Sequence, residues 1–480
     1  MRTKNQESPK APARVARVAV LFFVLAPFVA ALLYVRSYGV NVFYADEWDF
    51  VALLRESSRD TLGAADLFAR HNEHIYFFPW GLMLLLGSFT DYNTVPLMYL
   101  VVACLLITSL TILCAHEKTA GRSFLACLLF APTPLLLFSF RQHENLLWGN
   151  QISFGVAQTF SVLALYLLRD RDSGHFGKLA FITAAVCAAV ASFSAAPGLL
   201  VWPAGLLLLM LAPTREELAE RGPAVGAWVL ASLAVWGGYL VGYGGFDSPQ
   251  SPLFVLGHPA AGAEYLLTLF GGALFWREGT AMAVGALLVL LFIATLALAL
   301  ALGRAKHNAF WISLGAFSLL SLALITAGRS GLGDAVFARA ILSRYAAFSI
   351  LGVVALHGLL VSLALEARSR IAVGLLGALL VAMLAGTVHS YPRGMAAGRE
   401  IENSRMQAAR ILSDHKTEPL AAFTIFGHEP GRVQRYARFL ERREYGIFGE
   451  SEVRETPYAR SSENSHALRW IGEKKGRSPL

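Results

Sequence analysis

The sequence predicts an all-α polytopic membrane protein with about 11 transmembrane helices. Three observations carry that expectation. Hydrophobic residues make up 55% of the 480, and charged residues only 15%, too little charge to cover a soluble surface of this size. Mean hydropathy is +0.52. Apolar runs such as Val18–Val35, Ala281–Leu302 and Ile371–Val388 approach or reach the length at which a helix crosses a bilayer.

The net charge of +8 suggests nucleic acid as a partner only until the membrane is considered. Excess Lys and Arg hold loops on the cytoplasmic side, so membrane lipids are expected as partners and nucleic acid is not. Cys104, Cys114, Cys127 and Cys187 all lie in apolar stretches without a CxxC pair. They read as small core residues rather than as a disulfide or zinc framework. Arg2, Lys4, Lys10, Arg14 and Arg17 precede the first apolar run, and Tyr34-Val35-Arg36-Ser37-Tyr38 after it offers no small-x-small cleavage site. The run therefore reads as an uncleaved first span with a cytoplasmic N-terminus.

Apolar segments fall near 18–36, 75–89, 95–114, 123–140, 151–168, 179–193, 197–212, 223–243, 264–276, 280–302, 309–327, 346–365 and 371–389. Segments 75–89, with Pro79 and Gly81, and 264–276 are short. If all thirteen crossed, the loops assigned inside would hold roughly 10 basic residues and those outside roughly 14, against the positive-inside rule. If the two short segments dip in or lie on the surface, the inside loops hold roughly 16 and the outside loops roughly 8. The second arrangement wins. It gives a cytoplasmic stretch 1–17, a transmembrane domain 18–390 with a long first external loop 37–94, a small external soluble part 391–450 and a tail 451–480 whose polar composition predicts disorder.

This topology gathers the unusual polar residues on one face, the external one. Asp46 and Glu47 directly follow the first span, and Trp48 and Phe50 suit the headgroup level. Paired carboxylates can deprotonate a hydroxyl, hold a divalent metal, or tune one another. His71-Asn72-Glu73-His74 precedes the interrupted segment; its spacing is not that of a zinc protease, and it reads as substrate contact or local pairing. Arg141-Gln142-His143-Glu144-Asn145 leads to Trp148 and Gln151. On a continuous helix Glu144, Trp148 and Gln151 would share one face, and so much hydrogen-bonding capacity between two spans suits a wet cavity. Arg329, Arg339 and Arg344-Tyr345, among Gly328, Gly331, Gly333 and Ser343, suit recognition of a phosphate or pyrophosphate, with headgroup anchoring as the plainer alternative.

A first span running outward, an acidic pair directly after it, a long external loop and many further spans together resemble the GT-C superfamily of glycosyltransferases. Bacterial aminoarabinose transferases and protein O-mannosyltransferases are relatives in that superfamily. Asn72-Glu73-His74, Glu144-Asn145-Leu146-Leu147-Trp148-Gly149, Leu199-Leu200-Val201-Trp202-Pro203 and Ser343-Arg344-Tyr345 more closely resemble a group of bacterial integral membrane proteins of uncharacterised activity. The resemblance implies a bacterial inner-membrane enzyme that moves a sugar from a polyprenyl-phosphate donor to an external glycan, lipid or protein. It implies Asp46 as general base and Glu47 as its tuning or orienting neighbour. Arg329, Arg339 or Arg344 would stabilise the leaving phosphate. His71, Glu73, His74, Glu144, Asn145 and Trp148 would line the cavity, with Trp148 suited to a sugar face. No cofactor is expected, although the acidic pair leaves a divalent metal open, and protein partners are not indicated. Two rivals stand beside this reading. A transporter or flippase should place charges in mid-span, and a glycan polymerase should rest on loop arginines rather than on an acid after the first span.

Overall fold

The computed structural model describes residues 10–71, 73–169, 177–211, 215–241, 254–331 and 341–449. Arg339, Asn72, Gly333 and the tail 451–480 lie outside the described residues. Helices dominate, and the one sheet among the described residues is a two-stranded hairpin pairing Arg70–His71 with His74–Ile75.

Among the described residues, nine helices are long and apolar enough to cross a membrane: Val20–Tyr38, Val95–Ala120, Phe124–Leu147, Gly149–Leu168, Gly222–Leu240, Glu278–Ala301, Ala309–Arg329, Ser343–Leu365 and Arg370–Ser413. Lys178–Ser192 and Ala196–Met210 stand where the sequence predicts two further spans, but are shorter. The segments read as surface or re-entrant elements form helices of 11 residues (Phe77–Gly87) and 13 residues (Pro259–Gly271). At about 1.5 Å per residue neither matches a hydrocarbon core of about 30 Å.

The packing follows from which helices face protein and which face lipid. Ala346–Leu365 is buried from Ala346 to Ala364 and forms the axis of the bundle. Gly222–Leu240 buries only Trp228 and Tyr239, leaving Leu230 and Leu233 outward, as a lipid-facing helix can. Trp202, Trp228 and Trp311 are enclosed, and their indole N–H groups donate to the Ser192 hydroxyl, the Trp202 carbonyl and the Thr119 hydroxyl respectively. A buried indole needs such a partner.

Arg370–Ser413 is one helix of 44 residues. At about 66 Å it is roughly twice as long as the hydrocarbon core is thick, so it crosses and then projects. The composition change near 390 falls inside this helix. The chain then returns through a 3-10 helix, Leu420–Phe426, and the helix Pro430–Arg443. Phe423, Phe426, Val433, Ala437 and Leu440 from this return share an apolar cluster with Val42, Trp48, Phe50 and Leu54. The C-terminal part is therefore seated on the first loop.

Pro259–Gly271 and Glu278–Ala301 meet backbone to backbone. A β-carbon on Gly271 would lie 1.8 Å from the Ala281 carbonyl oxygen, and one on Gly285 would lie 1.8 Å from that of Leu267. Small residues permit this approach in membranes. Gly285→Ala is expected to cost at least about 1–3 kcal/mol through forced separation. Gly374→Ala, where nothing lies within 4 Å, serves as control. Melting of the detergent-solubilised variants checks this; equal melting temperatures would contradict the close crossing.

Candidate active site

The site is built on the turn that leaves the first helix. Asn41 Oδ1 accepts the Thr94 N–H at 3.0 Å, tying the turn to the start of Val95–Ala120. Ala45 has φ 45°, a region a non-glycine residue adopts only when its surroundings impose it. Its N–H donates to the Phe426 carbonyl at 2.9 Å. The helix Glu47–Ser57 starts immediately afterwards. Asp46 occupies its N-cap position yet makes no capping bond, although that is the usual use of an aspartate there. Its carboxylate is left for other partners.

The two adjacent acids part ways. Asp46 keeps 42% of its side-chain surface accessible, whereas Glu47 is only 1% exposed. Glu47 accepts the Tyr44 N–H at 2.9 Å and the Asn150 N–H at 3.0 Å, one on each oxygen. Burial pushes its carboxyl up to about 7, against the opposing pull of Arg405 and these two N–H donors. The Gly149 α-carbon is so close that a β-carbon there would sit 2.9 Å from Glu47 Oε1. The Arg141–Gln151 stretch is not one helix. Trp148 is extended at φ −138°, and a short 3-10 turn, Gly149–Gln151, follows it. The helical face expected for Glu144, Trp148 and Gln151 is corrected accordingly: Trp148 is extended, and Gln151 is buried in the turn after it.

The hairpin brings the histidines to the first loop. His71 stands between two carboxylates, with Nε2 3.8 Å from Asp46 Oδ2 and Nδ1 3.4 Å from Asp49 Oδ2. Tyr76 stacks on both imidazoles, at centroid distances of 5.3 Å to His71 and 5.2 Å to His74. Burial alone would push the Asp46 carboxyl up; the contact with His71 and the charge of Arg344 override it and hold Asp46 below its ordinary value. His74 Nδ1 accepts the Ala196 N–H at 3.1 Å, which places any ring proton of the neutral form on Nε2, 3.6 Å from Glu73 Oε1. Burial holds His74 down at about 4, so it is neutral near pH 7. Glu73 pairs with Arg329.

On the far side Glu144 clamps the start of Ser343–Leu365. Its Oε2 accepts from the Ser343 hydroxyl and the Arg344 N–H, both at 3.0 Å, and its Oε1 lies 3.7 Å from Arg344 Nη1. Asn145 donates to the Arg344 carbonyl at 3.1 Å. Tyr345 lies within hydrogen-bonding reach of both Arg329 and Arg344. Trp148 meets Tyr44 edge-on at 5.9 Å, and the Arg405 guanidinium lies over the Tyr44 ring, 3.2 Å from its centroid.

Asp46, Glu47, His71, Glu73, His74, Glu144, Asn145, Trp148, Arg329, Arg344 and Tyr345 thus share one region. Arg141 and His143 stand apart in their bonding. Arg141 donates to the carbonyls of Gly272 at 2.6 Å and Ile341 at 2.7 Å, fastening three loops, and His143 stacks on Trp276 at 5.2 Å. Sequence reasoning missed Tyr44, Asp49, Tyr76, Arg405, His428 and Arg432. The third carboxylate of Asp46-Glu47-Trp48-Asp49 was a usable signal, because positions 46 and 49 fall on neighbouring helical corners. Nothing local marks Arg405, His428 or Arg432. Among the described residues no group of three or more His, Cys, Asp or Glu is placed to hold a metal ion.

Comparison with protein-family models and with curated proteins finds no match to this chain. Among solved structures, the chain is similar to ArnT from Cupriavidus metallidurans, crystallised bound to undecaprenyl phosphate. The TM-score is 0.45 with 13% identity, covering 88% of each chain.

The raised carboxyl of Glu47 has a measurable consequence. The folded protein holds that proton more tightly than the unfolded chain, so the associated stability is present below the ordinary 4.5 and is lost as pH rises through about 7. The contribution is about 3 kcal/mol. Melting followed from pH 4.5 to 8 should show the wild type losing stability relative to Glu47→Gln as pH rises. Parallel curves would contradict the assignment.

Proposed function

We propose that this protein is a membrane glycosyltransferase of the GT-C type. It moves a sugar from a polyprenyl-phosphate donor to an acceptor hydroxyl on the outer side of a bacterial inner membrane. The observation that carries the reading is Asp46: an accessible carboxylate, held ionised by His71 and Arg344, beside arginines suited to phosphate. A general base must be unprotonated before it can act, and it must be reachable by the hydroxyl it serves. Glu47, enclosed and fully bonded, meets neither requirement as well.

In this mechanism the acceptor O–H gives its proton to Asp46 while its oxygen bonds to the anomeric carbon. The bond from that carbon to the phosphate oxygen breaks, and its electron pair leaves on the phosphate. Arg344 and Arg329 face the charge that develops there. Their present partners, Glu144 and Glu73, keep these guanidinium groups aimed and neutralised until the anion arrives. Arg339 is a further candidate for the same phosphate. Tyr345 links the two arginines, and Trp148, Asn145 and His74 form the walls. Glu47 acts through structure: it joins the turn carrying Asp46 to the strip carrying Trp148. Arg141, His143 and Gln151 support the loops around the cleft. Support for a lipid-linked donor comes from the position of the arginines, at the ends of Ala309–Arg329 and Ser343–Leu365, where a phosphate anchored in the membrane would be presented.

Replacing Asp46 with Asn keeps the size and removes the base. Transfer of sugar from the lipid-linked pool by correctly inserted Asp46→Asn is expected to fall about 100- to 10,000-fold, with lipid-linked sugar accumulating. Surface glycan at the wild-type level in that variant would contradict the base assignment.

A further inference from the structure

We infer that the C-terminal segment 420–443 is a positioning element of the base: His428 and Arg432 hold Asp49, Asp49 and Asp46 bracket His71, and the segment thereby sets the direction of the Asp46 carboxylate. The inference rests on the role of Asp46 proposed above. Its geometry is a chain of polar contacts of 3.0 to 3.8 Å that joins parts of the sequence almost four hundred residues apart. His428 Nε2 lies 3.2 Å and Arg432 Nη2 3.0 Å from Asp49 Oδ1, while Asp49 Oδ2 faces His71 Nδ1 at 3.4 Å. One oxygen of Asp49 therefore serves the C-terminal segment and the other serves the imidazole. The opposite imidazole nitrogen faces Asp46. An imidazole ring is rigid and Tyr76 stacks on this one, so holding Nδ1 and the ring plane fixes the direction of Nε2.

A second set of contacts reaches the same turn through its backbone. The Ala45 N–H donates to the Phe426 carbonyl, and the Phe426 ring stands edge-on to Trp48 at 5.4 Å. Gly427 then reverses the chain at φ 65°, a conformation suited to glycine, and delivers His428 to Asp49. The next helix begins in a fixed frame: Glu429 accepts the N–H groups of Gly431 at 2.9 Å and Arg432 at 2.6 Å, and Pro430 stands in its first turn. Arg432 is thus carried on a capped helix start. At the far end Arg443 donates to the Ser58 carbonyl at 3.2 Å, so Pro430–Arg443 spans Glu47–Ser57 from one end to the other.

Magnitudes separate positioning from mere attachment. Phe423, Phe426, Val433, Ala437 and Leu440 are fully enclosed, and burial of that kind dominates docking. Asp49 is 28% exposed and Arg432 32% exposed, and partly solvated ion pairs add little stability. The Asp49 contacts are therefore unneeded for attachment, and their consequence is the orientation of His71. The charged and titratable groups facing this chain are His71, His428 and Arg432 around Asp49, and His71, His74, Arg344, Glu47 and Tyr76 around Asp46.

The test uses the purified full-length protein and its own lipid extract carrying tritiated lipid-linked sugar, with acceptor-bearing membranes. Arg432→Gln and His428→Gln are expected to lower kcat about 10- to 100-fold, the scale of lost orientation at a reacting group, with KM unchanged and melting close to wild type. Arg432→Lys should recover part of the loss, and Arg438→Gln on the exposed side of the same helix should have no effect. Adding Arg432→Gln to Asp49→Asn should bring no further loss, because both act through one contact. Wild-type kcat in Arg432→Gln and His428→Gln, or losses that simply multiply with Asp49→Asn, would overturn the positioning role while an inactive Asp46→Asn keeps the base assignment. Full activity in Asp46→Asn would remove the base assignment and this inference with it.

Discussion

Glu47 is the interaction on which the rest of the site depends. A carboxylate removed from water is costly unless each oxygen finds donors. Here one oxygen binds the turn just before it and the other binds a chain segment one hundred residues later. With Arg405 close by, the side chain joins the first loop, the Trp148 strip and the projecting end of Arg370–Ser413. Removing it would leave two backbone N–H groups without their acceptor and take a carboxyl away from beside Arg405. Asp46, one residue away, is kept accessible by the same turn. Two neighbours of like chemistry thus take opposite parts because the backbone at Ala45 sends one inward and the other outward.

A membrane bundle makes this division natural. Within the hydrocarbon region, polar side chains are expensive and the helices meet through small residues, as at Gly271 and Gly285. The acids and arginines of the site accordingly gather at helix ends and in connecting loops. Three of the cations described there already have a carboxylate partner: Arg329 with Glu73, Arg344 with Glu144, Arg432 with Asp49. Such pairs hold the charged groups in place and can exchange partners when an anion arrives. Under the proposed reaction, that exchange is how the leaving phosphate would find two guanidinium groups at once.

Much of the helical order is readable from hydropathy, because a spanning helix must satisfy its own backbone and face apolar surroundings. The expected spans 95–114 and 346–365 fall within Val95–Ala120 and Ser343–Leu365, and 280–302 overruns Glu278–Ala301 by one residue. The cluster around Asp46 and His71 was legible because acidic and imidazole side chains are rare in such a chain. Two things escaped. Helical periodicity placed Trp148 and Gln151 beside Glu144, but the helix ends at Leu147 and the turn after it bonds to Glu47. The residues after 390 read as a separate external part, yet Arg405, His428 and Arg432 reach the first loop. Pairings between residues 45 and 426, or 49 and 432, have no local signature; they arise from a long helix that returns its chain to the start. The same distance hides the bonds of Arg141 to the carbonyls of Gly272 and Ile341, which no local pattern around residue 141 announces.

The central claim is that Asp46 opens into an outward-facing cleft where a membrane-anchored phosphate sits beside arginines. It is tested most directly by labelling Asp46→Cys, in a background lacking the four native cysteines, with a membrane-impermeant maleimide on intact spheroplasts. The account predicts labelling from outside, slowed by added polyprenyl phosphate. Labelling that requires permeabilised membranes, or that proceeds at the same rate with the lipid present, would contradict it.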